Sequence, residues 1–280
     1  MRVVTANVRF ITPQDDGTGG EWANRKELCR DVLLAQDADL ICMQEYRLAH
    51  HAFLAGALAG FEPAYPALTK DDSAVQLANM VFFSQNRFEK TGAGFFWYSD
   101  TPGAPLSQFA ENTGHNRFVM WLRLRDRRGG REFLLCNTHF SAGGSERSRG
   151  LREKQAAMLA AFVEQQPADL PVIVTGDLNS TAATAPVKRL LASGLTDTFA
   201  VIHGEDAAGR TAHGFKGAKI PDKKGRKIDF ILASSQFKAT AAEIIRDTRD
   251  GRYPSDHYFV SAEVMFKQTA PLFSMSENNQ

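Results

Sequence analysis

Residues 118–139 read FVMWLRLRDRRGGREFLLCNTH. Two runs rich in β-branched, aliphatic and aromatic residues, Phe118–Leu124 and Glu132–Thr138, flank Arg128-Gly-Gly-Arg131. A Gly-Gly dipeptide between such runs predicts a two-residue hairpin, and the strands it joins must be antiparallel. The second run closes on Thr138-His139, polar residues at a strand tip. That combination sets the theme of the whole chain.

Outward from this hairpin, Val3–Val8, Asp39–Met43, Asn79–Ser84, Val172–Thr175, Ile228–Leu232 and Tyr258–Met265 also read as strands. Helical spacing predicts Asn24–Gln36, Glu146–Gln165 closed by Pro167, and Ala185–Ser193 stopped by Gly194. Helices and strands alternate along the chain while one pair is a hairpin, so the sheets must be mixed. No linker-like composition break or repeat divides the sequence. The expectation is one α/β domain over residues 1–268, with the polar stretch 269–280 as a frayed tail.

Composition excludes several classes. The 280 residues are 43% hydrophobic with 20 phenylalanines, too apolar for a disordered chain. Lys+Arg number 33 against 32 Asp+Glu, so no global positive field marks a nucleic-acid coat protein. Cys29, Cys42 and Cys136 form no C-x-x-C pair, which argues against a disulfide framework or a cysteine-built zinc site. No apolar run is long enough to span a membrane, so no membrane partner is expected. The N-terminal stretch reads as a strand rather than a signal peptide, which makes the cytoplasm the expected location. No feature calls for a protein partner.

Polar residues recur at the strand ends: Asn7, Gln44-Glu45, Thr138-His139, Gly176-Asp177-Leu-Asn179, Asp229 and Ser255-Asp256-His257. Singly, most have ordinary readings. Glu45 would serve as a helix-start carboxylate, Asp177 and Asn179 as turn formers, and Asp256 as a cap. Asp229 is harder to dismiss, because a carboxylate between Ile228 and Phe230 in an apolar strand needs a partner. Taken together the types are complementary. Carboxylates and an Asn carbonyl suit Mg²⁺, with Mn²⁺ as a substitute. Asp177 and Asn179, two apart in extended chain, would face one side, the first to orient a water and the second to contact a phosphate oxygen. His139 and His257 supply donors for charge developing on phosphorus, and Asp229 can fix one imidazole tautomer. This is the equipment for hydrolysing a phosphate ester.

The ordered set resembles the endonuclease/exonuclease/phosphatase superfamily, which includes deoxyribonuclease I, over essentially the whole chain. Trp22-Ala-Asn-Arg-Lys26, Phe96-Trp-Tyr-Ser-Asp-Thr-Pro102, Thr211-Ala-His-Gly-Phe215 and Asp250-Gly-Arg-Tyr-Pro-Ser-Asp-His257 further resemble a bacterial branch of small proteins. The resemblance implies a four-layer α/β sandwich, two mixed sheets face to face with helices outside and the site at one rim. It implies Glu45 as the principal Mg²⁺ ligand, with Asn7 beside it and Asp256 as a further ligand or bound to the metal through water. His257, oriented by Asp229, would contact the cleaved phosphate, Asp177 would position or deprotonate water, and Asn179 and His139 would stabilise its oxygens. Either Asp177 or His257 is the base. The segment Thr101–Arg117 lacks the Trp-Asp pair expected of the branch, and Ala212 stands where an aromatic residue is expected.

The substrate is read less directly. Lys216, Lys219, Lys223, Lys224, Arg226 and Lys227 face a single acid, Asp222, and lead into the strand carrying Asp229. A polyanion would gain from such a loop. Arg117 is a candidate phosphate contact and His213 a candidate cleft-wall residue. Trp97, Tyr98 and Phe215 are core or stacking residues, while His50 and His51 are expected to be exposed. The expected function is Mg²⁺-dependent phosphodiester hydrolysis of a nucleic acid or nucleotide derivative. The alternatives are a phosphomonoesterase on a sugar or inositol phosphate, and a non-catalytic binding module.

Overall fold

Neighbouring residues in Leu134-Leu-Cys136 point to opposite sides of a strand, yet none is exposed, so both faces must be covered. The same holds for Val3-Val4 and Leu40-Ile-Cys-Met43. Strands of this kind require layers outside the sheets as well as between them. The computed structural model, which describes residues 1–66, 78–205, 207, 209–222 and 227–268, has that arrangement. The predicted tail 269–280 lies outside the described residues.

In chain order come β1 (Arg2–Asn7), α1 (Trp22–Leu34), β2 (Leu40–Gln44), α2 (Leu48–Ala57), β3 (Phe61–Ala64) and β4 (Val81–Ser84). Next are β5 (Phe88–Trp97), β6 (Phe118–Asp126), β7 (Glu132–His139), α3 (Glu146–Glu164), β8 (Val172–Asp177) and α4 (Ala185–Ala192). The chain continues with β9 (Leu195–Asp197), α5 (Thr198–His203), β10 (Asp229–Ser234), β11 (Phe237–Ile245) and β12 (Phe259–Phe266). They build two six-stranded mixed sheets, ordered β11-β12-β1-β2-β4-β3 and β5-β6-β7-β8-β10-β9.

The inner faces of the two sheets share one core, with Val3, Leu40, Cys42, Phe83, Phe118, Leu122, Leu135, Ile173, Ile231 and Val260 among its members. Outside the first sheet, Leu28, Val32 and Leu33 of α1 and Leu54 of α2 pack on Val4, Ile41 and Met43. Outside the second, Leu151, Leu159 and Val163 of α3 and Leu190 of α4 cover Leu134, Cys136 and Val174. The four predicted layers are present. All three cysteines are buried and unpaired.

Two local expectations change. The β6–β7 hairpin is longer than two residues: the Asp126 amide donates to Arg131 O at 2.9 Å, leaving Arg127–Gly130 as its loop. Asp126 accounts for this, because its Oδ1 accepts from the Arg128 amide at 3.0 Å and nucleates a side-chain turn ahead of the glycines. Predicted as exposed, His50 is fully buried, wedged edge-on against Trp22. Its Nδ1 accepts from the Arg47 amide at 3.0 Å and caps α2. Burial lowers its pKa to about 3, so it is a neutral core residue.

Candidate active site

Strand register assembles one half of the site. Parallel pairing of β7 with β8 sets His139 beside Asp177, and antiparallel pairing of β8 with β10 sets Asp177 beside Asp229. Directly paired residues share a face, so the three side chains form a row across the second sheet. Gly176 allows this close approach: a Cβ there would lie 2.0 Å from Thr138 O, so no other residue fits. In the first sheet, β1–β2 pairing sets Asn7 beside Gln44, one residue before Glu45.

Beneath the rim the two sheets are tied together. Gln44 Nε2 donates to Asn137 Oδ1 at 2.7 Å, and Asn137 Nδ2 donates to Met43 O and Met80 O at 2.9 and 3.1 Å. All of this is buried, so the bonds are made without competing water. Gln44 therefore acts on the site through structure, holding the carboxylates of opposite sheets at one rim.

There the carboxylates meet. Asn7 Nδ2 donates both to Glu45 Oε1 at 3.2 Å and to Asp177 Oδ2 at 3.0 Å. Glu45 Oε2 accepts from the Phe10 amide at 2.9 Å. Asp177 and Asn179 meet through a turn, not by strand alternation. The strand ends at Asp177, Asn179 takes φ +46°, and its amide donates to Asp177 Oδ1 at 2.8 Å. Arg9 and Glu45 also hold left-handed φ, +55° and +60°, so strained non-glycine backbone gathers at this rim.

The two histidines sit in opposite electrostatic situations. Burial works against a charge on His257, but Asp229 Oδ2, 2.9 Å from its Nδ1, together with the charges of Asp177 and Asp256, outweighs that and lifts its pKa well above the usual imidazole value. Its Nε2 stands 4.0 Å from Asp177 Oδ2. His139 is pushed far down by burial and by the charges of Arg117, His257 and Arg47. The Nε2 of His139 lies 3.0 Å from Asn179 Nδ2 and 3.3 Å from Asp177 Oδ2, while the Asn179 amide also donates to Phe140 O at 3.1 Å. Burial and the nearby Asp229 raise the Asp177 carboxyl to about 7.

The remaining expected residues divide. Asp256 lies 3.6 Å from the Arg9 guanidinium, and burial raises its pKa, with the Glu45 charge adding to the rise, so it faces the same rim. Arg117 is half-buried, and its charge interacts with Glu45 and Asp177. His213 joins the others through its backbone, whose amide donates to Asp256 O at 2.8 Å, and not through its side chain. Its ring packs between Tyr253 and Tyr258, and its Nδ1 accepts from the Gly217 amide at 3.2 Å. Trp97 and Tyr98 are core residues, 1% exposed. Lys227 points inward, 2.9 Å from Asp197 and over the Phe230 ring, and so leaves the basic loop. Lys223, Lys224 and Arg226 lie outside the described residues.

Two arginines were not anticipated. Arg47 interacts with Glu45 and lowers the basicity of His139; its place two residues after Glu45 was the available signal. Arg25 is 1% exposed and donates to Gly20 O, Val8 O, Pro254 O and Arg9 O at 2.7–3.0 Å. It thereby pins the end of β1 to the loop carrying Asp256. Arg25→Met, which leaves those carbonyls unpaired, is expected to destabilise the fold by about 2–4 kcal/mol. A thermal melt matching the wild type would remove this role.

Which of these groups could hold a cation is answered by donor chemistry. Glu45 and Asp177 share one neutral amide donor, a poor match for two carboxylates, and Asp256 adds a third nearby acid; an oxygen-only set of this kind suits a hard cation. Asp177, Asp229 and His257 also cluster, with ligand atoms within 4.8 Å of one another. In that cluster the His257 Nδ1–Asp229 bond already uses one imidazole nitrogen and one carboxylate oxygen.

Two stacked mixed sheets with acids and imidazoles at one rim define the deoxyribonuclease I-like fold class. Residues 4–257 match the Endonuclease/Exonuclease/phosphatase family, and the chain belongs to it; members of that family hydrolyse phosphoric esters. An endonuclease/exonuclease/phosphatase family protein of Bacteroides thetaiotaomicron superposes with a TM-score of 0.82 at 24% identity, covering 96% of this chain and 98% of that one. A mannosyl-6-phosphatase of the same species gives 0.80 at 24% identity, covering 95% and 100%. Nocturnin of Drosophila melanogaster is 29% identical over 165 residues, 57% of this chain and 24% of its own length. The chain spans less than half the length of the curated relatives it matches. Among the described residues, no helix is long and apolar enough to cross a membrane.

Proposed function

We propose that the protein is a Mg²⁺-dependent phosphodiesterase acting on a nucleic acid or nucleotide derivative. The observation that carries this reading is the meeting of Glu45 and Asp177, from different sheets, at the single Asn7 amide, with the His257–Asp229 pair against the same Asp177 oxygen. Glu45, Asn7 and Asp256 would hold the ion, which supplies charge neutralisation for phosphoryl oxygens.

The protein's own groups do the rest. Asp177, raised to about 7, orients the attacking water and takes its proton, an affinity matched to a base working near neutrality. His257, kept cationic by Asp229, donates from Nε2 to an oxygen on phosphorus. Neutral His139 anchors the Asn179 amide, whose position beside Asp177 lets it meet a second oxygen. Arg117 and Arg47 add positive potential over the site, where a phosphate would be drawn in.

Cleavage of bis-p-nitrophenyl phosphate is expected to stop with EDTA and return with excess Mg²⁺. Full activity in chelator would end the metal role of Glu45. A monoesterase acting on a sugar phosphate is a second reading, favoured by the likeness in fold to the mannosyl-6-phosphatase. A panel of DNA, RNA, nucleotides and sugar phosphates separates the two.

A further inference from the structure

Beside the rim lies a cavity of about 350 Å³ that the chemistry described so far does not use. It opens between α3 and the segment leading into α4; Asn179, which follows the catalytic row, is part of its wall, and the Arg152 charge interacts with Asp177. Arg149 and Arg152 of α3 line one side, and Ser180, Thr181 and Thr184 the other. Arg152 is 7% exposed. Its Nη1 is held by Ser141 O and Gly143 O at 2.9 and 2.8 Å, whereas its Nε is buried without a partner among the described residues. The Arg149 side chain reaches Gly144 O at 2.6 Å and is otherwise exposed. Among the described residues neither guanidinium has a carboxylate within 4 Å, although Glu153 also lines the cavity. No side chain caps α4 at Thr184, so its N-terminal end adds partial positive charge on the same side.

A guanidinium fixed by backbone carbonyls, a second, exposed one held at a single nitrogen and the Ser180 and Thr181 hydroxyls form a complementary lining for a phosphate group, the Thr184 hydroxyl being spent on Thr181 O. The volume admits one sugar-phosphate unit rather than a bare ion. We infer that this cavity binds a second phosphate of the substrate, one unit away from the phosphate that is cleaved. The inference rests on the proposed phosphoesterase site and deepens it, because it requires a substrate with two phosphates. A nucleotide chain and a small bisphosphate both meet that requirement.

The test is binding measured by calorimetry in EDTA, where turnover does not enter. Two pairs of probes are compared: a thymidine dinucleotide with and without its 5′-phosphate, and glucose 1,6-bisphosphate against glucose 6-phosphate. In at least one pair the second phosphate is expected to tighten Kd about tenfold or more, the scale of a charge-assisted hydrogen bond. The pair that responds identifies the source, chain or small molecule. Arg149→Gln should shrink that ratio to less than about threefold, while Glu153→Gln, which removes the opposing charge, should enlarge it. A ratio near unity in both pairs overturns the inference, as does a ratio that survives Arg149→Gln. Hydrolysis of the same probes with Mg²⁺ is scored separately: absent turnover with an intact binding ratio sinks the phosphoesterase reading alone.

Discussion

Asp177→Asn is expected to lower kcat on bis-p-nitrophenyl phosphate by at least about 100-fold, the scale of a lost general base. The substitution is nearly isosteric, and the neutral amide can still accept the Asn179 N–H through its oxygen; its NH₂ then replaces the acceptor of Asn7 Nδ2, which keeps Glu45 as its other partner. Structure should therefore persist while proton transfer fails. Because burial and Asp229 hold the native carboxyl near 7, it exchanges a proton at the pH where the enzyme would work, and the amide cannot. Circular dichroism and a thermal melt check the fold, and the rate checks the chemistry. Near-normal turnover in a folded variant would remove Asp177 as the base.

Asp229→Asn is expected to cost about 10²–10⁴ in kcat, as the loss of a buried carboxylate that orients an imidazole does in other hydrolases. The cause differs from the first case. In the native protein burial favours the neutral His257 ring, while Asp229, with the Asp177 and Asp256 charges behind it, favours the charged one, and the acids prevail. Without Asp229, only the Asp177 and Asp256 charges still oppose burial, and the His257 pKa falls. The sign is thus a downward shift in the imidazole titration, read by NMR on chelated protein. An unchanged His257 titration in the variant would show that Asp229 does not set its charge.

Much of this was legible in the sequence, and the reasons are specific. Polar residues interrupting otherwise buried strands stand out, since a strand covered on both faces has no ordinary use for Asp229 or His139. Their mutual register does not stand out: nothing in Val172–Asn179 alone says that Asp177 pairs with His139 on one side and Asp229 on the other. The Asp177–Asn179 turn was misjudged as extended chain because φ +46° at Asn179 is a tertiary outcome. The strands β5 and β11 escaped notice because Phe88–Trp97 and Phe237–Ile245 carry glycines, alanines and charges instead of an apolar run. Arg25 was visible as part of Trp22–Lys26, but only three-dimensional closure brings Pro254 to it. His213 belonged to a legible motif as well; its environment of two tyrosine rings was not.

The row His139–Asp177–Asp229 has one more implication. Adjacent strands are spaced about 4.8 Å apart by their backbone hydrogen bonds, so the interval between these side chains is ruled by peptide geometry, which hardly varies with side-chain identity. The proposed cutting apparatus is in effect printed on the ladder, while the groups proposed to seat a second phosphate hang from α3 and the approach to α4. On that reading, replacing those surroundings would alter the clientele and leave the blade alone.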